Sequence, residues 1–269
     1  MPDDITIALA PSSRTLRAAK SAGPDWADPS SVLLGVGNPL PLPPGVHPLA
    51  YAGQEVRAIA TLFTDRRSRI LGEQDATRRR VAESLPTTTH LHLSCHGSFD
   101  SAEPLDSALQ LAGTDRLTLR DLLDGDLDLS GVRLAVLSAC QTGITEFRRV
   151  PDEAIGLPAG FLLAGVPGVV ATLWPVSDMS TALLMAEFNR LLITDHVEPT
   201  LALHRAQAHL RDSTPAQLDL ARWSERRYEA SGGTDTNAFH AASYFRAHPD
   251  ADPPFSDPYY WAGFTCTGE

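Results

Sequence analysis

A histidine and a cysteine, each closing an apolar run, are the residues of this chain best suited to covalent chemistry. The first run reads Leu91-His92-Leu93-Ser94-Cys95-His96-Gly97, and the second Leu134-Ala135-Val136-Leu137-Ser138-Ala139-Cys140-Gln141-Thr142-Gly143. The thiolate is the attacking form of cysteine, and a nearby imidazolium lowers the thiol from its free pKa of ~8.5. Cys140 as nucleophile beside His96 as acid/base is therefore chemically sufficient without a metal. Gly97 admits backbone conformations closed to other residues and lets a substrate approach its main-chain N–H, a candidate oxyanion donor.

Each motif alone also has a plainer meaning. Cysteine is among the most buried residue types, so one at a strand end is more often packing than chemistry. A lone His-Gly is no more specific. His90, His92 and His96 share one run and raise a metal cluster, yet ligands spread along a buried strand without a carboxylate partner suit a metal poorly. No metal and no cofactor is expected. Cys95 competes as nucleophile, but it has the opposite strand parity to His96, which directs its thiol into the packing.

The elements that must position these residues follow from the hydrophobic pattern. Short β-branched runs at residues 32–36 and 69–71 alternate with helical periodicity in Glu55, Val56, Ile59, Leu62 and Phe63 and in residues 74–85. This predicts an α/β fold, a mostly parallel central sheet flanked by helices on both faces. Residues 90–95 and 132–140 are continuously apolar, as in central strands buried on both sides. If they are adjacent and parallel, His96 and Cys140 project at one carboxyl edge, where open α/β sheets bind ligands. A helix over 152–163, a strand over 166–174 and a second helix starting near Asp178, with Asp178 or Ser177 as N-cap, continue the rhythm. Residues 39–48 and 142–152 read as exposed loops, the second carrying Arg148-Arg149. Residues 213–258 read as an insertion, partly helix and partly loop, and the aromatic run from Tyr259 to Cys266 as a last strand.

The 269 residues suit one domain over 1–269 with that insertion. The formal charge of -11 disfavours non-specific nucleic-acid binding and favours cationic partners. Three cysteines without framework spacing read as reduced thiols. No uncharged stretch approaches the ~20 residues that span a bilayer, and the start lacks the marks of a signal peptide, so a cytoplasmic protein is expected.

In combination, the order histidine then cysteine matches the caspase arrangement, in which they lie about 50 residues apart. Pro11-Ser12-Ser13-Arg14-Thr15-Leu16, Gly35-Val36-Gly37-Asn38-Pro39, Ser94-Cys95-His96-Gly97 and Leu137-Ser138-Ala139-Cys140-Gln141-Thr142-Gly143 then follow in sequence. Gly160-Phe161-Leu162-Leu163-Ala164-Gly165, Val170-Ala171-Thr172-Leu173-Trp174-Pro175-Val176-Ser177-Asp178 and Pro258-Tyr259-Tyr260-Trp261-Ala262-Gly263-Phe264 complete the set. The chain resembles the CHAT domain, a branch of the caspase-like cysteine peptidases related to separases. The resemblance implies a caspase-type sheet, a His96/Cys140 dyad, an acyl-enzyme, and an oxyanion hole from the N–H groups of Gly97 and Cys140. It also implies a protein substrate, bacterial signalling or defence as the setting, and a repeat or sensor module as regulator in this or another chain.

Gln141 and Pro175 stand where relatives often carry acidic residues, so both bear on substrate preference. Asp178 is the candidate pocket acid for a basic residue before the scissile bond, with Trp174 as an apolar wall. An aspartate there serves equally as a helix cap, and the roles are compatible. Asp100 and Asp106 are alternatives. Arg148-Arg149 could be cut in autoprocessing or block the cleft. The competing readings are a catalytically silent protein-binding scaffold, opposed by the presence of both dyad residues, and a small-molecule α/β enzyme. The latter lacks a phosphate loop, since Pro39 prevents a helix after Gly35-Val36-Gly37-Asn38.

Overall fold

The structure is a computed structural model that describes Trp26 and residues 28–63, 67–100, 102–138 and 156–268. Cys140, Gln141, Arg148, Arg149 and the motif Pro11-Ser12-Ser13-Arg14-Thr15-Leu16 lie outside the described residues.

The apolar run Leu33–Pro39 is strand β1, buried along nearly its whole length. It is followed by helix α1 (Ala52–Ala60), strand β2 (Ser68–Glu73), helix α2 (Arg78–Ser84) and strand β3 (His90–Ser94). Strands β4 (Gly97–Ser98), β5 (Ala108–Gln110) and β6 (Arg116–Thr118) form a small antiparallel sheet after β3, which sequence reasoning missed because each is only two or three residues long. Helix α3 (Leu119–Leu123), strand β7 (Leu134–Leu137), helix α4 (Leu157–Leu163) and strand β8 (Gly168–Thr172) come next. Helices α5 (Asp178–Ile193), α6 (Pro199–Asp212), α7 (Leu220–Ala230), α8 (Thr236–Ala247) and α9 (Pro258–Trp261) precede the last strand, β9 (Phe264–Gly268).

The main sheet runs β2-β1-β3-β7-β8-β9, parallel throughout except for β9, which is antiparallel to β8. This is the expected α/β fold. Alternating strand residues supply two apolar layers. Leu91, Leu93, Ala135, Leu137 and Ala171 pack with Phe161 and Leu162 of α4 on one face. Leu33, Leu134, Val136 and Val170 pack with Ile59 of α1 and Leu184 and Phe188 of α5 on the other. The chain steps from β1 outward to β2 and then back across to β3, so the order reverses between β1 and β3, the kind of switch point at whose carboxyl ends open α/β sheets bind ligands.

Two boundaries differ from expectation. Tyr259-Tyr260-Trp261 is helical rather than extended, because Asp257 accepts from the Tyr259 N–H at 2.8 Å and Pro258 occupies the first helical position. The strand begins only at Phe264. Helix α5 has Ser177 at its N-cap without a side-chain bond, and Asp178 is its first helical residue. No helix among the described residues is long and apolar enough to cross a membrane.

Helix α1 lies close against β1, and two glycines make this possible. A Cβ on Gly35 would stand 2.4 Å from Val56 Cγ1, and one on Gly37 would stand 3.1 Å from the Ala52 carbonyl oxygen. Val56 is β-branched and cannot rotate away easily. Gly35→Ala should therefore destabilise the protein by ~1–3 kcal/mol, the usual cost of overpacking. A lowered urea midpoint checks this, with part of the loss recovered when Val56→Ala is added; an unchanged midpoint would show that the contact relaxes freely.

Candidate active site

Strands β3 and β7 are adjacent and parallel, with His90 opposite Leu134, Leu91 opposite Ala135, His92 opposite Val136 and Leu93 opposite Leu137. His96 follows just past the end of β3 and is half-buried. Its Nε2 lies 2.8 Å from the carbonyl oxygen of His47. A carbonyl can only accept, so Nε2 carries the hydrogen and Nδ1 is the atom left to exchange a proton. The main-chain carbonyl of His96 in turn accepts from the Gln110 N–H at 2.8 Å, anchoring the residue at both ends. Gly97 is the first residue of β4, paired with Leu109. His47 belongs to the loop joining β1 to α1. Sequence reasoning had no access to its role, because a backbone carbonyl leaves no trace in residue type.

Behind His96 lies a polar group within the apolar layers. Glu55 of α1 is fully buried, with Oε1 2.6 Å from His92 Nε2 and Oε2 accepting from the Ser94 hydroxyl at 3.0 Å. His92 and Ser94 are also buried. The signal was present in the pattern, since Glu55 stands inside the buried helical stripe Ala52, Val56 and Ile59, where a carboxylate is out of place.

Asp178 does not cap its own helix. Its Oδ2 accepts from the Tyr51 N–H at 2.8 Å, which places the carboxylate at the N-terminus of α1. Burial pushes the Asp178 carboxyl up to about 6; the Tyr51 N–H opposes this, the nearby Glu55 charge adds to it, and the Ala50 N–H and Arg227 pull it back. Trp174 is half-buried, donates from Nε1 to the Tyr259 carbonyl at 3.2 Å, and lies so near Gly263 that a Cβ there would be 3.1 Å from the indole. The glycine of the C-terminal motif thus makes room for Trp174. Helix α7, from the segment 213–258, covers the start of α1, where Gln54 Nε2 donates to the Trp223 carbonyl at 3.2 Å.

The remaining candidates have other work. Cys95 is buried in the opposite layer with Leu93, and burial pushes its thiol up to about 12, so it stays protonated at neutral pH. His90 is buried against Phe63, edge to face at 5.4 Å, and burial pulls its imidazole down to about 4. Asp100 accepts from the N–H groups of Ala102 and Glu103 within its own turn, and Asp106 pairs with Arg120 at 3.2 Å. Among the described residues no group of three or more His, Cys, Asp or Glu side chains is arranged to hold a metal ion. A cleft of about 980 Å³ opens at the carboxyl ends of β1 and β2; its walls include Asn38, Gln54, Arg57, Glu73 and Arg226, but not His96, Trp174 or Asp178.

The CHAT domain family model matches residues 3–269. No curated protein matches the sequence. Among solved structures, the chain is similar to Saccharomyces cerevisiae separase in its complex with securin, with 15% identity and a TM-score of 0.53. That match covers 77% of this chain and 13% of the separase chain. It also aligns with the Arg-specific cysteine proteinase gingipain R (RgpB), named for Porphyromonas gingivalis in a second structure, with 12% identity and a TM-score of 0.47. There it covers 91% of this chain and 47% of the other, so the chain spans about half of gingipain R and a small part of separase. The separase likeness shows the fold.

The state of Asp178 has a measurable consequence for stability. Its carboxyl titrates near 6 in the folded chain against 3.8 unfolded, so between these values the native state holds a proton that the unfolded state has released. Stability is therefore greatest below the lower value and falls as pH rises through the upper one. Asp178→Asn should flatten the urea midpoint between about pH 4 and 6.5 relative to the wild type. An identical slope in both proteins would show that Asp178 titrates as an ordinary carboxylate.

Proposed function

The chain belongs to the CHAT domain family, and on that footing we propose that it is a cysteine endopeptidase, with Cys140 as nucleophile and His96 as acid/base. The observation that carries this reading is His96 at the carboxyl end of β3, its Nε2 tied to the His47 carbonyl and its Nδ1 left for a proton. The β3–β7 register supports the pairing, since His96 and Cys140 each stand three positions past the last paired rung, Leu93 and Leu137.

In this reading Nδ1 takes the thiol proton and the Cys140 thiolate attacks the carbonyl carbon of the scissile peptide. The N–H groups of Gly97 and Cys140 receive the oxyanion. The tetrahedral species collapses, the C–N bond breaks, and His96 returns its proton to the departing amine. A water molecule, deprotonated by His96, then attacks the thioester and releases the acid and the free thiol.

The residue before the scissile bond is proposed to be Arg or Lys, held at Asp178 beside Trp174, with Gln141, next to the nucleophile in the sequence, as a further determinant of preference. A cation beside a carboxyl that burial has raised to about 6 restores its ionised form, so binding would strengthen as pH rises through that value. The substrate is a protein, and a regulatory module in the same or another chain would govern access, with Arg148-Arg149 as the proposed site of self-cleavage.

Fluorogenic peptides varied at that position test the reading. Hydrolysis should be abolished in Cys140→Ala, fall ~10²–10⁴-fold in His96→Ala, and persist in Cys95→Ala. Asp178→Asn should reduce the preference for Arg over Gln about 10- to 100-fold. Activity that survives Cys140→Ala would overturn the nucleophile. No hydrolysis, together with no labelling of Cys140 by a peptide electrophile, would favour a silent scaffold.

A further inference from the structure

We propose that Glu55 is the positioning residue of the site, fixing the end of β3 and with it the placement of His96, the acid/base of the proposed dyad. The inference rests on the His96/Cys140 reading and adds a residue outside both family motifs that contain the dyad. His92, Ser94 and His96 alternate along one chain direction, and the first two lie on the strand face that meets α1. Glu55 takes one with each carboxylate oxygen, at 2.6 and 3.0 Å, and so clamps the last two rungs of that face before the catalytic histidine.

A clamp is useful only if its own base is fixed. Helix α1 is seated on β1 at Gly35 and Gly37, and the Glu55 N–H donates to the Tyr51 carbonyl at 2.8 Å, while Asp178 holds the Tyr51 N–H. The loop that enters this helix supplies the His47 carbonyl to the imidazole. One helix and its entry loop therefore hold His96 at its ring and at its root. Packing alone does not call for this arrangement. A buried, hydrogen-bonded polar cluster carries a desolvation cost that apolar residues of similar volume would avoid. The ionisable groups acting on this cluster are His92 from β3, Cys95 just after it, Asp178 from α5 and, at the start of α1, Tyr51 with Arg227 of α7 and Asp235.

The rate of Cys140 alkylation by iodoacetamide, followed against pH in the full chain, tests the proposal. Cys95 and Cys266 are buried with thiols raised to about 12 and stay silent. The wild type should react at a pH well below that of a free thiol, and His96→Ala should lose this acid limb. Glu55→Gln and Ser94→Ala should move the limb about one unit toward the free thiol. They should lower kcat roughly 10- to 100-fold, the cost of a misplaced catalytic group, with KM little changed. Ser94→Thr, which keeps the hydroxyl, should restore both. The milder Ser94→Ala keeps the test valid if Glu55→Gln does not fold. Folded variants with the wild-type pH profile and kcat would overturn the assignment and leave Glu55 a structural residue. A wild type that lacks the acid limb, with His96→Ala unchanged, would instead overturn the dyad and the inference with it.

Discussion

Helix α1 and strand β1 meet through two glycines, and the contact leaves no space for a methyl group on Gly35. Much of what orients the candidate site is carried by the helix seated here. The loop before the helix carries the His47 carbonyl, its first turn carries the backbone groups that Asp178 binds, and its inner face carries Glu55. At Gly35 the strand backbone meets the stiff, β-branched Val56 side chain, and at Gly37 it meets the helix backbone, and interiors packed at crystal density transmit small displacements instead of absorbing them. The edge of the sheet where the order reverses is thereby given a fixed geometry on its β1 side.

The electrostatics of the site are unusual for a protein core. A fully buried carboxylate on α1 and a largely buried one on α5 sense each other, and each is stabilised by hydrogen-bond donors: an imidazole and a hydroxyl for Glu55, backbone amides for Asp178. Such groups survive in low dielectric only when their oxygens are matched. The matching here draws on β3, α1 and α5 at once, so the polar cluster ties together three elements that are distant in sequence. The same burial keeps Cys95 inert although it is adjacent to His96 in the chain.

The sequence made the frame legible where a single element determines its own pattern. The continuous apolar runs that became β3 and β7 are central and adjacent, and strand parity alone placed Cys95 away from the His96 side. Reading failed where the answer depended on partners far along the chain. Asp178 looked like a cap for α5 and instead serves α1, a relation across 127 positions that no local pattern encodes. Tyr259-Tyr260-Trp261 looked extended by composition, but Asp257 and Pro258 start a helix there. The oxygen of His47 belongs to the main chain and could not be read at all. Cys140 and Gln141 lie outside the described residues, so their part of the reading continues to rest on motif and family.

In the proposed reading, Asp178 would couple selectivity to architecture. The carboxylate proposed to meet the substrate is also bonded to the start of the helix whose inner face reaches β3. A mutation that recoded this position for an apolar side chain would also release the Tyr51 N–H and loosen the support beneath His96. Trp174 is held instead by the C-terminal segment, at the Tyr259 carbonyl and Gly263, so in the proposed reading a change of preference made through the indole would leave the Tyr51 N–H bonded.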